Sequence, residues 1–234
     1  RKVKGAPAAV TRDVFRRINE DPQSVPSEII EEVRRIAEQY SFFHWHIAYP
    51  DVFHLPAPGD DPENELMGWS GGFDVVLGNP PWERIKIQEK EWFATRDPAI
   101  AGAPTAAARR RLIEQLRDED PRLYDMFTQD LRKASGDSHF VRNSGRYPLC
   151  GRGDINTYTV FAETMRNLIS SRGRVGVVVP SGIATDDTTK VFFQDIMEKR
   201  SLVSLYDFEN RKGIFPAIDS RIKFSLVTMA GSIN

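Results

Sequence analysis

The stretch "FDVVLGNPPWERI", residues 73–85, joins a short apolar run to a polar corner. Residues 73–78 are mostly apolar, which predicts a strand buried on both faces of a sheet. The run ends directly in Asn-Pro-Pro-Trp, residues 79–82. Ligands of open α/β sheets bind just outside the carboxyl ends of the strands. The stretch therefore places an amide, two prolines and an indole where a ligand site is expected.

The polar corner has the chemistry to hold an amine. Prolines fix their own backbone angles, lack N–H donors and restrict the residue before them. The side-chain carbonyl of Asn79 and the backbone carbonyl of Pro80 then act as acceptors without competing donors, and Trp82 adds a flat stacking surface. This set suits a planar ligand that carries an –NH2 group. Asn-Pro-Pro is also ordinary turn chemistry, so the interpretation depends on other segments of the chain.

Those other segments predict an α/β sheet. Further strands are predicted at residues 173–180, 202–208 and 223–230, and alternating aromatic and polar residues predict another strand over 42–49. Helices are predicted over 11–40, 155–171 and 186–200. The order of strands and helices favours a mostly parallel sheet. The last two strands are expected to be antiparallel neighbours, because no clear helix joins them.

Residues 83–155 are long, charged and mostly helical by composition, and they predict a helical insertion. Within the insertion, residues 136–154 are expected to form a flexible loop. The predicted organisation is a helical N-terminal segment, 1–41, followed by a catalytic unit, 42–234. The chain begins with Arg-Lys-Val-Lys rather than Met, so we expect it to be a piece of a longer polypeptide.

Composition excludes several classes of site and protein. The formal net charge is −1 for 234 residues, so nucleic-acid affinity must come from local patches. A single cysteine excludes a disulfide framework and a Cys-rich zinc site. His44 and His46 have a spacing that can bind metal, but without a third ligand a polar strand face is favoured, and no metal site is predicted. No apolar run reaches the ~18 residues of a membrane span, and a cytoplasmic protein is expected.

Four segments in order resemble S-adenosylmethionine-dependent amino-methyltransferases, most of which modify the exocyclic amine of adenine in DNA. The Asn-Pro-Pro-Trp corner resembles their Asn/Asp/Ser-Pro-Pro-aromatic motif. The segments "GDINTYTVFAETMRNLISSRGRVGVVVPSGI" and "DFENRKGIFPAIDSRIKFSLVT" resemble their later motifs, and "FHWHIAYPDVF" is similar to type IIG restriction-modification and phage-exclusion (BREX) methylases. The resemblance implies a Rossmann-like methyltransferase fold and adenine-N6 methylation of double-stranded DNA within a restriction-modification or phage-defence enzyme.

The resemblance also implies roles for individual residues. Asn79 and Pro80 would accept the two hydrogens of the adenine amine after the base is flipped from the duplex, with Pro81 completing the motif. Trp82 would stack on the flipped base. Phe215 matches the second aromatic residue against the base, although a core role is equally open.

Cofactor and phosphate contacts follow from the same resemblance. The cofactor is S-adenosylmethionine, with Asp51 and Phe161 as candidates to contact its adenosine. The alternatives are that Asp51 is a solvated loop acid and that Phe161 is a core residue of its helix. Arg142, Arg146 and Arg152 are candidates to contact DNA phosphates. The nearby Arg109–Arg111 run is explained as well by a solvated helix face.

The family binds its cofactor through a Gly-rich turn after the first strand, and no such turn follows a strand here. The expected fold is therefore incomplete, without the cofactor-binding strands, and the chain alone is expected to be inactive. The expected partners are duplex DNA and the rest of the parent polypeptide, including its cofactor-binding half and a target-recognition domain. Strand 73–78 would lack a neighbour, so either self-association or covering of its edge by the N-terminal segment, such as residues 42–49, is also expected.

Three alternative functions remain open from the sequence. A protein-glutamine amide methyltransferase shares Asn-Pro-Pro-aromatic but lacks a long insertion after the motif. A cytosine-amine enzyme usually has Ser in place of Asn79. A non-catalytic DNA-binding or interaction module of the same fold is favoured by the absent Gly-rich turn.

Overall fold

The chain divides at Pro50 into two units, Arg1–Pro50 and Asp51–Asn234. A computed structural model describes residues 10–216 and 218–231. Residues 1–9, with which the predicted N-terminal helical segment begins, lie outside the described residues. Each unit has its own hydrophobic cluster.

The first unit is helical and is interrupted at its prolines. Helices α1 (Arg12–Glu20) and α2 (Ser27–Tyr40) are separated by a 3-10 turn, Pro22–Ser24. The Thr11 side chain accepts a hydrogen bond from the Val14 backbone N–H at 3.3 Å and so caps α1. Val14 then packs with Val25 and Ile29 in a small buried cluster.

The strand predicted over residues 42–49 is wrong. The segment contains a short helix, α3 (Trp45–Ala48), in which the His44 carbonyl accepts hydrogen bonds from Ile47 and Ala48. Trp45 and Tyr49 stack four residues apart, with ring centroids 6.0 Å from each other. Aromatic residues at every second position also place a pair at the helical i, i+4 spacing, so alternation over eight residues did not distinguish the two structures.

The second unit contains two sheets. A two-stranded antiparallel sheet pairs β1 (Phe53–His54) with β2 (Ser70–Gly71). The larger sheet has four strands in the spatial order β3-β4-β6-β5. Their bounds are β3 Phe73–Gly78, β4 Ile169–Pro180, β5 Leu202–Glu209 and β6 Lys223–Ala230.

Three of the four strands in the larger sheet run in one direction. β3 is parallel to β4, while β6 is antiparallel to both β4 and β5. The strands predicted at 73–78, 173–180, 202–208 and 223–230 are confirmed, with β4 beginning earlier than predicted, at Ile169, and the antiparallel last strand is confirmed too. This mixed sheet with its helices is compatible with a methyltransferase-like fold.

Helices cover one face of the larger sheet. Val175, Val177 and Val179 of β4 are buried against α8 (Thr157–Asn167), α9 (Gly182–Thr185) and α10 (Lys190–Glu198). A 3-10 turn, Asp187–Thr189, joins α9 to α10. The covering side chains include Tyr158, Ala162, Met165, Ile183, Phe192 and Ile196. This layer is the main core of the unit.

The opposite face of the larger sheet is apolar and exposed. Val75 is 60% exposed, Leu77 77% and Tyr206 62%, and Leu226 on β6 is exposed as well. The prediction that β3 is buried on both faces is therefore wrong for the described residues. A continuous apolar run is typical of a strand with a layer on each side, and here the described residues supply one layer.

The insertion after β3 forms helices with their own core. Residues 83–155, all of which the structure describes, contain α4 (Glu89–Ala94), α5 (Pro98–Ala101), α6 (Ala106–Glu119) and α7 (Pro121–Asn143). Phe93, Ile113 and Phe127 are buried together in this insertion. The predicted loop at 136–154 begins too early, because α7 continues to Asn143. Ala134 and Ser138 are small, so they mark this side of the helix weakly in the sequence. The buried Val141 shows that the apolar side of α7 continues past them.

A buried carboxylate fixes the chain that leads from the insertion into α8. The two carboxylate oxygens of Glu163 accept hydrogen bonds from the backbone N–H groups of Leu149 and Cys150, at 3.1 and 2.8 Å. Burial raises the pKa of the Glu163 carboxyl, while these two donors oppose the rise. The same burial raises the pKa of the Cys150 thiol.

We predict that residues 1–234, expressed alone, self-associate through the exposed apolar face of the sheet. A double variant, Val75→Thr with Leu77→Lys, should shift the chain toward monomer, because it replaces exposed apolar surface on an edge strand with polar groups. Light scattering measures the change in mass. Val33→Lys, at an exposed apolar position in the first unit, is the control, and a monomeric wild-type chain would contradict the prediction.

Candidate functional site

Loops from all four strands meet at one edge of the larger sheet. β3, β4 and β5 end there at Gly78, Pro180 and Glu209, and β6 begins there at Lys223. The Ser181 N–H donates to the Lys223 carbonyl at 3.1 Å, which ties two of these loops together. This edge is therefore the place where residues after different strands can act on one ligand.

The Asn-Pro-Pro-Trp corner lies at this edge, directly after β3. Asn79 is exposed, and its side-chain amide forms no hydrogen bond with the described residues. Pro80 is buried and Pro81 is exposed. Trp82 is half-buried and packs against the main core. The corner thus presents an available amide beside a ring that the fold holds in place.

Thr157, at the start of α8, braces the chain on both sides of Trp82. Its hydroxyl donates to the Pro81 carbonyl at 2.6 Å and accepts from the Glu83 N–H at 3.1 Å. Its own N–H donates to the Glu83 carbonyl at 2.8 Å, and the Ile85 N–H donates to Ile155 at 3.0 Å. Thr157 was not among the site residues predicted from the sequence. Its one indication in the sequence is that it is a β-branched hydroxyl residue at the start of a predicted helix, which is common at helix caps.

Four aromatic rings cluster beside the corner. The Trp82 ring lies 5.6 Å from Phe215 and 6.4 Å from Phe224, measured between centroids. Phe224 also stacks on Phe208 at 5.5 Å and meets Phe215 edge-on at 5.0 Å. The structure therefore brings together the two residues that the sequence suggested for base stacking. Phe208 and Phe224 were missed, because strand residues in an apolar run give no separate signal.

The indole of Trp82 carries a donor that the described protein groups do not satisfy. Its Nε1 atom is buried and has no hydrogen-bond partner among the described residues. An unsatisfied buried donor costs about 1–3 kcal/mol. A phenylalanine would avoid that cost, and the buried donor lies out of reach of a ligand that stacks on the ring.

Asn210 holds the loop that carries Phe215. Its buried side-chain amide donates to the carbonyls of Phe215 and Ile218 and accepts from the Phe215 N–H, each at 3.0 Å. The residue begins a 3-10 turn, Asn210–Lys212, directly after β5. One side chain thus closes three hydrogen bonds within the loop and fixes the Phe215 ring against Trp82.

The two cofactor candidates differ in their positions. Asp51 is exposed and precedes Phe53, which packs against Phe73 at the amino end of β3. The strand separates that end from Asn79 by about 20 Å, at ~3.3 Å per residue. Phe161 is 46% exposed on α8, away from the buried side of that helix.

Three cavities, of about 340, 710 and 440 Å³, are lined by residues other than Asn79, Asp51 and Phe161. None of these three cavities therefore joins the corner to the two cofactor candidates. Use of S-adenosylmethionine stays a prediction.

The three candidate phosphate-binding arginines differ in their surroundings. Arg142, at the end of α7, donates to the Gly153 carbonyl at 2.6 Å. A guanidinium nitrogen of Arg146 lies 3.9 Å from the Met67 sulfur. Arg152 is exposed. Phosphate contact by these three residues stays a prediction.

Two other features concern metal and membrane binding. His44 and His46 lie with ring centroids 6.1 Å apart, and within residues 10–216 and 218–231 no group of three or more His, Cys, Asp or Glu could hold a metal ion. No helix in the described part of the chain is both long and apolar enough to span a membrane.

The second unit is a mixed α/β domain compatible with a methyltransferase-like fold, and its Asn-Pro-Pro-Trp corner follows a sheet strand. Residues 11–110 match the family model of the Eco57I restriction-modification methylase, and the match includes the corner. It covers less than half of the 234 residues. The similarity supports a methylase of a restriction-modification system. No curated protein matches the chain.

We predict that Asn210→Ala destabilises the chain by about 2–3 kcal/mol, because it leaves the Phe215 N–H and the Ile218 carbonyl without partners. Denaturant unfolding measures the loss. Asn156→Ala is the matched control, since the Asn156 side chain forms no capping hydrogen bond at α8. Equal stability of the two variants would show that the loop does not depend on Asn210.

Proposed function

We propose that this chain is the acceptor-binding part of a DNA methyltransferase that methylates the exocyclic N6 amine of adenine, in a restriction-modification or phage-defence enzyme. The methyl donor would be S-adenosylmethionine, and the substrate would be duplex DNA with the adenine flipped out of the stack. The match to a restriction-modification methylase family supports the class of enzyme. We expect the parent polypeptide to act in the cytoplasm.

The observation that carries the proposal is the exposed Asn79 amide beside the Trp82–Phe215 pair. An amide carbonyl accepts a hydrogen bond without carrying charge, so it can bind a neutral –NH2 group without protonating it. The Pro80 carbonyl offers a second acceptor, and neither proline offers a competing donor. Stacking of a base on an aromatic ring contributes about 1–3 kcal/mol.

The chemical role of the corner is to orient the amine. Two acceptors that engage both hydrogens leave the nitrogen lone pair directed away from them, toward the incoming methyl group. S-adenosylmethionine supplies an electrophilic sulfonium methyl group when it is bound. The described residues then contribute positioning and electrostatic stabilisation, which are large terms in catalysis.

The aromatic cluster at Trp82 adds a reason to favour a nucleobase as substrate, because a base has a planar face that can stack on it. A glutamine side chain, the substrate of the related protein-amide enzymes, has no aromatic stacking face. The helical insertion α4–α7 also distinguishes this chain from those enzymes.

We predict that Asn79→Ala, made in the polypeptide that naturally carries this sequence, reduces DNA methylation by about 100- to 1,000-fold, because one preorganised polar group is lost. Binding of S-adenosylmethionine should remain nearly unchanged, since the amide serves the acceptor amine. Nucleoside analysis of the DNA product measures the first effect, and calorimetry the second.

Asn79→Asp is the matched control, because it keeps a carbonyl-type acceptor of the same size and should retain more activity than the alanine variant. Methylation by Asn79→Ala at the wild-type rate would overturn the role of Asn79. If the wild-type polypeptide methylated a protein glutamine and left DNA unmodified, the choice of substrate would be wrong.

A further inference from the structure

A cavity of about 340 Å³ lies beside the chain that leaves the Asn-Pro-Pro-Trp corner. Residues 85–87 form one wall, and the second half of α7 forms the other. Asp154 and Ile155 complete the lining. The volume falls at the lower end of the range that binds small ligands.

The cavity is rigidly linked to the corner. The Ile85 N–H bonds to the Ile155 carbonyl, and both residues line the cavity. Thr157, two residues after Ile155, continues this pairing through hydrogen bonds to Pro81 and Glu83. Three residues of extended chain span at most about 10 Å, so Ile85 lies within that distance of Trp82.

The lining combines an apolar floor with a cationic rim. Ile85, Ile87, Leu131 and Ile155 are apolar, whereas Lys86, His139 and Arg142 are basic. The one acidic lining residue, Asp154, has its carboxylate 3.6 Å from the Arg84 guanidinium. None of the ion pairs found among the described residues involves Lys86. The rim therefore has positive charge to offer an anion.

Rim groups are partly fixed by local hydrogen bonds. The Arg142 guanidinium donates to the Gly153 carbonyl at 2.6 Å, which orients it along the cavity wall. The Asn143 amide donates to the His139 carbonyl at 2.8 Å and lies 3.3 Å from the ring nitrogen Nδ1. Lys86, His139 and Arg142 are all exposed, so their charged or polar groups are accessible from solvent.

We propose that this cavity binds a phosphodiester group of the DNA strand close to the flipped base, with Lys86 as its main charged contact. The inference rests on the proposed function, because it takes DNA to be the substrate. A duplex rises 3.4 Å per base pair, so a cavity within about 10 Å of Trp82 meets a phosphate within about three positions of the target. The apolar floor would pack against the sugar.

The test uses the polypeptide that naturally carries this sequence and a duplex that contains its methylated adenine. Lys86→Ala should weaken DNA binding about tenfold, which is typical of a lost charged contact. It should also lower the slope of log Kd against log salt by about one unit. Lys86→Arg should retain binding. Lys90→Ala, a nearby exposed lysine outside the cavity, is the matched control.

Neutral methylphosphonate groups, placed one at a time within three positions of the target adenine, locate the contact. At one position the neutral group should weaken wild-type binding about tenfold and cause no further loss in Lys86→Ala, because the two changes remove the same interaction. If the losses of binding caused by Lys86→Ala and by the neutral group were additive at every position, the proposed phosphate contact would be wrong.

The two proposals fail in different ways. Wild-type methylation of DNA together with equal binding by Lys86→Ala and Lys90→Ala would overturn the cavity's role and leave the enzyme assignment intact. A wild-type polypeptide that neither binds nor methylates DNA would overturn both proposals. If Lys86→Ala weakened the binding of a peptide to the polypeptide and left DNA binding unchanged, the cavity would serve a protein partner instead.

Discussion

The candidate site depends on the hydrogen bonds that Thr157 makes to the chain around Trp82. β3 brings the Asn-Pro-Pro corner to the sheet edge, but a chain leaving a strand through two prolines has lost two N–H donors and cannot continue the ladder. Thr157 replaces that support, with bonds of 2.6 to 3.1 Å to Pro81 and Glu83. The indole is thereby held against Phe215 and Phe224, while the Asn79 amide stays exposed.

A second constraint is the parallel pairing of β3 with β4, which leaves β3 at an edge of the described sheet. The corner is consequently supported from one side, by α8 and the loop held by Asn210. The apolar side chains of Val75 and Leu77 are exposed on the face that helices do not cover. Strands of this composition usually lie between two layers, and the described residues supply one of them.

The sequence predicted the strands of the larger sheet well, because their apolar runs are bounded by Gly, Pro and Asn residues that end strands. It failed at residues 42–49, where Trp45 and Tyr49 satisfy strand and helix periodicity alike. It placed Trp82 and Phe215 in one site through a family resemblance. It could not find Thr157 or Asn210, because their roles are hydrogen bonds between segments distant in the chain or within an irregular loop, and such bonds leave no periodic pattern.

If the corner receives a flipped adenine, the target base must leave the stack when the DNA binds. The fluorescent base 2-aminopurine, put in place of the target adenine, measures this step, because its emission rises when the base leaves the stack. Emission should rise on binding to the wild-type polypeptide and rise further with Trp82→Ala, because stacking on the indole quenches emission. Bound DNA with unchanged emission in both proteins would contradict the binding of a flipped base at the corner.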